Sequence, residues 1–584
     1  MNSETKICQN CKQNFTVEPE DFDFYKKINV PPPTLCPDCR YQRRIANRNE
    51  WNFYKRTCSL CGVSMVSLYN SFYPGPVYCQ PCYWSDKWNS FDYGRDFDFS
   101  RPFFEQFYEH RYKVPRIALA NEGSINSEYT NQSNNNKNCY MTVATNACEY
   151  CMYGNWNQKS KECVDCWMVN ECELLYGSID CLRCYRSYFL ETCNSVNNSY
   201  FCNACRGCNN CFGCVGLRSK SYCWFNEQLT KEEYERRFNE IEWTTATIEG
   251  FWKKLNELRN KLPIKYYHGP PRIENCSGDF IGFSKNMHYA FNCHHCENFS
   301  YGQDAWEARD CRDLTETLDN ELEYELEGVG WSHGSIASCK QWYGSNVAYS
   351  ELSFHSDNLL GCVSMIKKNY CIFNKQYSPE EWKVMKKKIM EHMKKTGEWG
   401  EFFPISISPF PYNDSLAQDY FPLSREKIIA NGWRWHARDV RDYKISLNHI
   451  DLPSTISVAS DEILKEVISC ATQDSKNDKR THLTCATAFR IHPTELEFYR
   501  KMNLPIPHKC FPCRLYERLG RRNPRKLWKR QCQCAGAVSE NSVYKSVAAH
   551  SHGEARCPNE FETSYAPERP EIVYCEQCYN AEVA

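Results

Sequence analysis

The chain has 584 residues, 39 of them Cys, with 71 basic against 72 acidic side chains. Charge this close to balance excludes a uniformly basic nucleic-acid binder, so any such contact must come from local patches. No apolar run approaches the 18 residues of a spanning helix, the N-terminus has no apolar signal core, and an odd Cys total fits poorly with complete disulfide pairing. The expectation is a cytoplasmic protein, with no membrane segment, whose Cys residues bind metal or pack.

The Cys residues fall into groups: eight in 8–82, fifteen in 139–223, seven in 276–371, one at 470 and eight in 485–578. The first group reads Cys8-x2-Cys11, 24 residues, Cys36-x2-Cys39, then Cys58-x2-Cys61, 17 residues, Cys79-x2-Cys82. Paired knuckles of this kind aim four thiolates at one tetrahedral ion, and four protein thiolates leave no open position for catalysis. Residues 1–95 are therefore expected to be tandem structural zinc modules.

Residues 96–265 and 266–398 are expected to be two Cys-rich repeats. A shift of 148 aligns 138–234 with 286–382 without a gap, pairing Asp165 with Asp313 and Tyr222-Cys223-Trp224-Phe225-Asn226-Glu227-Gln228 with Tyr370-Cys371-Ile372-Phe373-Asn374-Lys375-Gln376. Within the first copy Cys151, Cys172, Cys193 and Cys214 step by 21. That period predicts a β-solenoid of three short strands per coil, with sulfurs in ladders and Asn at left-handed turns. In the second copy Cys202, Cys205 and Cys208 become Ser350, Ser353 and Ser356, while Cys166, Cys181 and Cys151 become Leu314, Val329 and Phe299. Such replacements would destroy a metal site but suit inward packing, where Cys acts as a small hydrophobe; the alternative is a metal-thiolate cluster in the first copy alone. Helices are predicted over 229–262 and 378–396, and a Pro- and aromatic-rich strap and linker over 399–465.

The end of the chain, 466–584, repeats the beginning. A shift of 474 places Cys11, Cys36 and Cys39 on Cys485, Cys510 and Cys513, and Arg40, Arg44 and Arg48 on Arg514, Arg518 and Arg522. Cys8 lands on His482; either His482 or, with an insertion inside the knuckle, Cys470 completes the third set, and Cys470 is favoured. In the fourth set Cys557, Cys575 and Cys578 replace Cys61, Cys79 and Cys82, and Cys532 or Cys534 replaces Cys58 across a polar insertion. His550 and His552 in that insertion read as loop residues. About four structural Zn2+ sites follow.

The runs Arg40–Arg56 and Arg514–Arg530 hold six and eight basic residues with one Glu each. With interleaved aromatics, Arg40, Arg44, Arg48, Arg514, Arg518, Arg522 and Arg525 are candidates for RNA or DNA contact; the same faces could instead pair with acidic segments such as Asp304–Glu327. Nucleotide-binding, zinc-protease and hydrolase motifs are missing. Asp165 and Asp313, which recur at equivalent places, leave open a solenoid enzyme acting on a polymer.

Cys8-x2-Cys11, Phe24-Tyr25 and Cys36-Pro37-Asp38-Cys39-Arg40 resemble the zinc-ribbon, treble-clef-type domain of bacterial proteins. With Cys211-Phe212-Gly213-Cys214-Val215-Gly216-Leu217-Arg218, Tyr370–Gln376 and Phe561–Cys575, the layout resembles an uncharacterised family of large Cys-rich bacterial proteins. The resemblance implies zinc binding and assigns no activity. The sequence thus describes a multidomain, mainly β protein: paired treble-clef-like zinc fingers at each end flank two tandem β-solenoids with helical caps. The expected role is a non-enzymatic interaction scaffold with a protein partner.

Overall fold

The computed structural model describes residues 2–127, 129–270, 272–317, 319–437, 443–474 and 485–583. The chain forms two compact units, each assembled from stretches far apart in sequence. One combines Met1–Ala120 with Gly269–Ala437, the other Asn121–His268 with Arg438–Ala584. The N-terminal modules therefore share a unit with the second solenoid, and the C-terminal modules share one with the first. Residues 96–120, expected with the first repeat, belong to the unit of the second, where helix Phe103–Lys113 packs Phe103 and Phe107 on Phe373 and Phe403.

Both repeats are parallel β-solenoids, but the coil is 12 residues long and not 21. Ile125 pairs in parallel with Lys137, Lys137 with Glu149 and Glu149 with Lys161; in the second copy Val347 pairs with Leu359 and Leu359 with Cys371. Each coil consists of four triplets. The first residue of a triplet is buried, the second bridges to its equivalent one coil on, and the third has positive φ: Tyr129 at 59°, Met141 at 50°, Phe201 at 53°. Positive φ is uncommon in such residues and costs free energy at each corner. The ladder offsets it: Ile125 N donates to Asn136 O at 2.8 Å, and Asn138 N donates back to Ile125 O at 3.0 Å. The 21-residue Cys spacing is a multiple of the three-residue side and does not measure the coil.

All fifteen Cys of the first copy sit on the inward position of a triplet, which is why their numbers differ by multiples of three. Most inward sulfurs are directed at backbone carbonyls two residues back and nine ahead, as Cys148 Sγ is at Asn146 O (3.5 Å) and Asn157 O (3.2 Å). Ser160 uses the same two acceptors, Gln158 O at 2.8 Å and Val169 O at 3.4 Å. With four inward residues per coil the tube takes small or apolar side chains, Leu314 and Phe299 among them, and Cys and Ser meet its carbonyls alike. Cys339 is an exception in the second copy, because it occupies a bridging position and packs outward in the core beside the N-terminal module and helix Phe103–Lys113.

The matching heptapeptides are caps. Cys223–Trp224 folds back antiparallel on Glu227–Gln228, as Asn369–Ile372 does on Lys375–Gln376. Consecutive positive-φ residues, Phe225-Asn226 and Phe373-Asn374, make each turn. The Asn amide then stands in for a missing coil. Val215 N donates to Asn226 Oδ1 at 2.8 Å while Asn226 Nδ2 donates to Val215 O at 2.9 Å, and Asn374 treats Val363 likewise. The predicted helices follow at Lys231–Asn239, Thr245–Arg259 and Pro379–Thr396, the last with a Ser378/Glu381 capping box. The strap is made of short turns, Ile405–Ile407 and Tyr412–Asp414, and a one-turn helix Ala417–Tyr420.

Candidate metal centres

Each end module starts from a two-stranded hairpin that carries the first knuckle. Glu4–Ile7 pairs with Asn14–Val17, Tyr54–Thr57 with Ser64–Ser67, Ile468–Ser469 with Ala488–Phe489, and Trp528–Gln531 with Glu560–Thr563. The second knuckle opens a helix. Cys36, Cys79 and Cys510 are N-caps of Pro37–Ile45, Gln80–Tyr83 and Phe511–Gly520, each with Pro in its first two positions. Pro fits where no amide proton is needed, and the helix end favours a thiolate.

Four sets of sulfurs converge: Cys8, Cys11, Cys36 and Cys39; Cys58, Cys61, Cys79 and Cys82; Cys470, Cys485, Cys510 and Cys513; Cys532, Cys557, Cys575 and Cys578. Separations such as Cys11–Cys36 at 3.6 Å, Cys61–Cys79 at 3.8 Å, Cys470–Cys513 at 3.8 Å and Cys557–Cys575 at 3.9 Å are too long for disulfides, and all 39 Cys are free. They match the edge of about 3.8 Å that follows from four metal–sulfur bonds of about 2.3 Å in a tetrahedron.

One hydrogen bond identifies the first ligand of every set. The amide of the third Cys donates to the sulfur of the first: Cys36 N to Cys8 and Cys79 N to Cys58, both at 3.3 Å, Cys510 N to Cys470 at 3.3 Å, and Cys575 N to Cys532 at 3.2 Å. Burial pushes the Cys8 and Cys58 thiols up, yet such amide donors prevail and bring them to about 7 and about 6. Cys470 thus takes the place of Cys8, with the knuckle insertion running from Cys470 to Cys485; His482 lies outside the described residues. Cys532 takes the place of Cys58. Cys534 does not join that set but stands next to it, with His550, His552 and Cys578. Two His two residues apart, within a loop flanked by ligands, were the available signal for this second group.

The arginine runs are accounted for within each unit. Arg40 and Arg44 reach Asp313 at 2.8 and 3.2 Å, Arg44 also reaches Glu325 at 3.0 Å, and Arg48 meets Glu50, Glu316 and Glu327; all three guanidiniums are buried. In the other unit Arg514 and Arg518 reach Asp165 at 2.9 and 2.7 Å, and Arg522 holds Asp180 at 3.1 Å. The interface is duplicated in detail. Tyr301 donates to Asp21 at 2.7 Å and Tyr153 to Glu495 at 2.9 Å, while Arg40 covers the ring of Tyr301 and Arg514 that of Tyr153. Pairing with acidic residues of segment 304–327, one of the sequence alternatives, therefore describes the N-terminal arginines. Arg40, Arg44, Arg48, Arg514 and Arg518 are withdrawn from any phosphate by this burial, which corrects their candidacy as nucleic-acid contacts. Arg525 is half-buried.

Asp165 and Asp313 recur because each anchors a module on a solenoid. Both are fully buried beneath guanidiniums. No helix is long and apolar enough to cross a membrane among the described residues. Compared with known protein families and with curated proteins, the chain matches none.

Proposed function

We propose that this protein is a zinc-binding interaction scaffold and not an enzyme. The observation that carries the reading is that each of the four sulfur sets supplies four protein donors, while the best candidates for acid–base chemistry, Asp165 and Asp313, are consumed in docking. Zinc is the ion favoured by closed tetrahedral thiolate sites with no open position. The modules then read as treble-clef-like fingers, as the resemblance to bacterial zinc ribbons suggests, and their role is to clamp onto the solenoids.

A scaffold also needs a surface. The outward columns of the second solenoid carry stacked rings, Trp331 on Tyr343 at 4.7 Å and Tyr343 on His355 at 4.9 Å, nearly parallel and partly exposed. Aromatic side chains on a rigid ladder offer a protein partner large contact area at little entropic cost. Elemental analysis of the purified chain should find zinc without iron; iron, or no bound metal, overturns the reading. Nucleic acid is tested by fluorescence anisotropy with a mixed-sequence RNA and a duplex DNA between 50 and 200 mM salt. Affinity falling steeply with salt would replace the protein-partner reading, since phosphate contacts release counterions.

A further inference from the structure

The insertion in the last knuckle, residues 535–556, has no counterpart between Cys58 and Cys61. It folds back tightly on the module. Cys557 N donates to Cys534 O at 2.9 Å, and a side chain at Gly536, which has φ 79°, would lie 2.5 Å from the Glu554 backbone. This return brings His550 and His552 against the helix Glu576–Val583, whose first turn carries Cys578. The ligand atoms of Cys534, His550, His552 and Cys578 all lie within 4.8 Å of one another.

Both imidazoles are held through one ring nitrogen. The Nδ1 of His552 donates to Ala555 O at 2.7 Å, which fixes the tautomer and leaves Nε2 facing Cys578 Sγ at 3.3 Å. The Nε2 of His550 meets Glu582 Oε1 at 2.7 Å, with the His550 side chain 2% exposed and Glu582 at 0%. Glu582 stands one helical turn beyond Cys578 and also accepts from Tyr544 Oη at 2.8 Å and Val547 N at 2.9 Å, so it pins the loop as well as the ring. A carboxylate or carbonyl on the outer nitrogen is the usual support of a metal-bound imidazole.

We propose that the C-terminal module is dinuclear. A second zinc ion is held by Cys534, His550, His552 and Cys578, and the Cys578 thiolate bridges it to the ion of Cys532, Cys557 and Cys575. Two sulfurs and two imidazole nitrogens form a closed tetrahedral donor set that suits zinc. Sharing Cys578 accounts for seven ligands around two ions and for the burial of Cys534, which no other sulfur set uses. The loop insertion becomes folded by metal, as in other modules whose binding free energy is folding free energy.

The proposal rests on the zinc reading of the Cys sets, and native mass spectrometry of the full chain separates the two. Five zinc ions are expected; four would overturn the dinuclear site while leaving the Cys-only sites intact, and none would overturn the underlying reading instead. In H550A/H552A the count should fall from five to four; an unchanged count overturns the proposal. A measurement on the unsubstituted chain guards against a variant that fails to fold. After exchange with 113Cd, two resonances of the protein should show mutual scalar coupling through the shared sulfur, and five uncoupled or only four resonances would refute a bridging Cys578.

Discussion

Substituting Asp165 by Asn keeps the shape of the side chain and removes the charge on which two arginines depend. Arg514 and Arg518 approach Asp165 at 2.9 and 2.7 Å with side-chain exposures of 9% and 5%, and the carboxylate itself is 1% exposed. Arg514 retains Glu495 at 3.2 Å, whereas Arg518 retains only a carbonyl contact, Tyr153 O at 3.3 Å. Leaving a buried charge without its partner costs about 3–5 kcal/mol. D165N should therefore weaken docking of the C-terminal module by about that amount, whereas D180N, at the less enclosed Arg522 pair, should cost about 1–2 kcal/mol. Urea unfolding followed by hydrogen exchange in the helix Phe511–Gly520 measures both. Adding R518M to D165N removes the stranded charge and should recover part of the loss. A D165N cost below about 1 kcal/mol, or no recovery in the double variant, would refute the docking argument.

Metal removal should act on the modules and spare the solenoids, whose ladders need no ion. Chelation under reducing conditions is expected to unfold the hairpin–helix modules while β-sheet circular dichroism persists, because structural zinc contributes about 10–16 kcal/mol per small site. By the same logic C8S should lose one ion, but C205S, whose equivalent is Ser353, should cost only about 1 kcal/mol and no metal. At the caps, N374A should cost about 2–4 kcal/mol and N226A about 1–2 by thermal unfolding, since Asn374 also bonds His110 at 3.1 Å and Ser90 O at 3.1 Å. Glu323 is fully buried in the second solenoid, and burial outweighs the donors around it, Ser332, Asn320 and the Ser335 amide, and pushes its pKa up to about 8. Raised above its unfolded value of about 4.3, it contributes stability in full at low pH, and that contribution is lost as pH rises through about 8. E323Q should therefore outlast the parent increasingly between pH 5 and 8, with a ceiling of about 5 kcal/mol; an equal pH dependence in the two proteins would contradict this.

Much of the grouping of the sulfurs was legible because ligand geometry is local. A CxxC knuckle carries its own spacing, so Cys8 to Cys82 could be grouped from the chain alone, and the 474-residue shift transferred the pattern to Cys485, Cys510 and Cys513. The insertions blurred what remained. Choosing between Cys470 and His482, or between Cys532 and Cys534, required the amide-to-sulfur bonds that only folded hairpins form. Solenoids were legible as a class from repetition and from Cys-to-Ser exchange. The coil length was not, because every triplet side admits Cys and the Cys spacing counts sides. Corners at Tyr129, Met141 and Phe201 escape propensity altogether, since they take left-handed conformations for the sake of the ladder.

By itself, then, the sequence determined the two duplications, the four sulfur sets in outline, the caps and the demand for small or apolar inward residues, all consequences of short-range spacing or internal comparison. Tertiary structure decided which module meets which solenoid. Arg40 and Arg44 lie hundreds of residues from Asp313, as Arg514 and Arg518 do from Asp165, so nothing near them in the chain distinguishes a phosphate-binding face from a docking face. Only burial did so, because a guanidinium taken out of water must find its carboxylate within the fold. Tertiary structure likewise gathered Cys534, His550 and His552 around Cys578, by folding back a loop whose length had hidden its purpose.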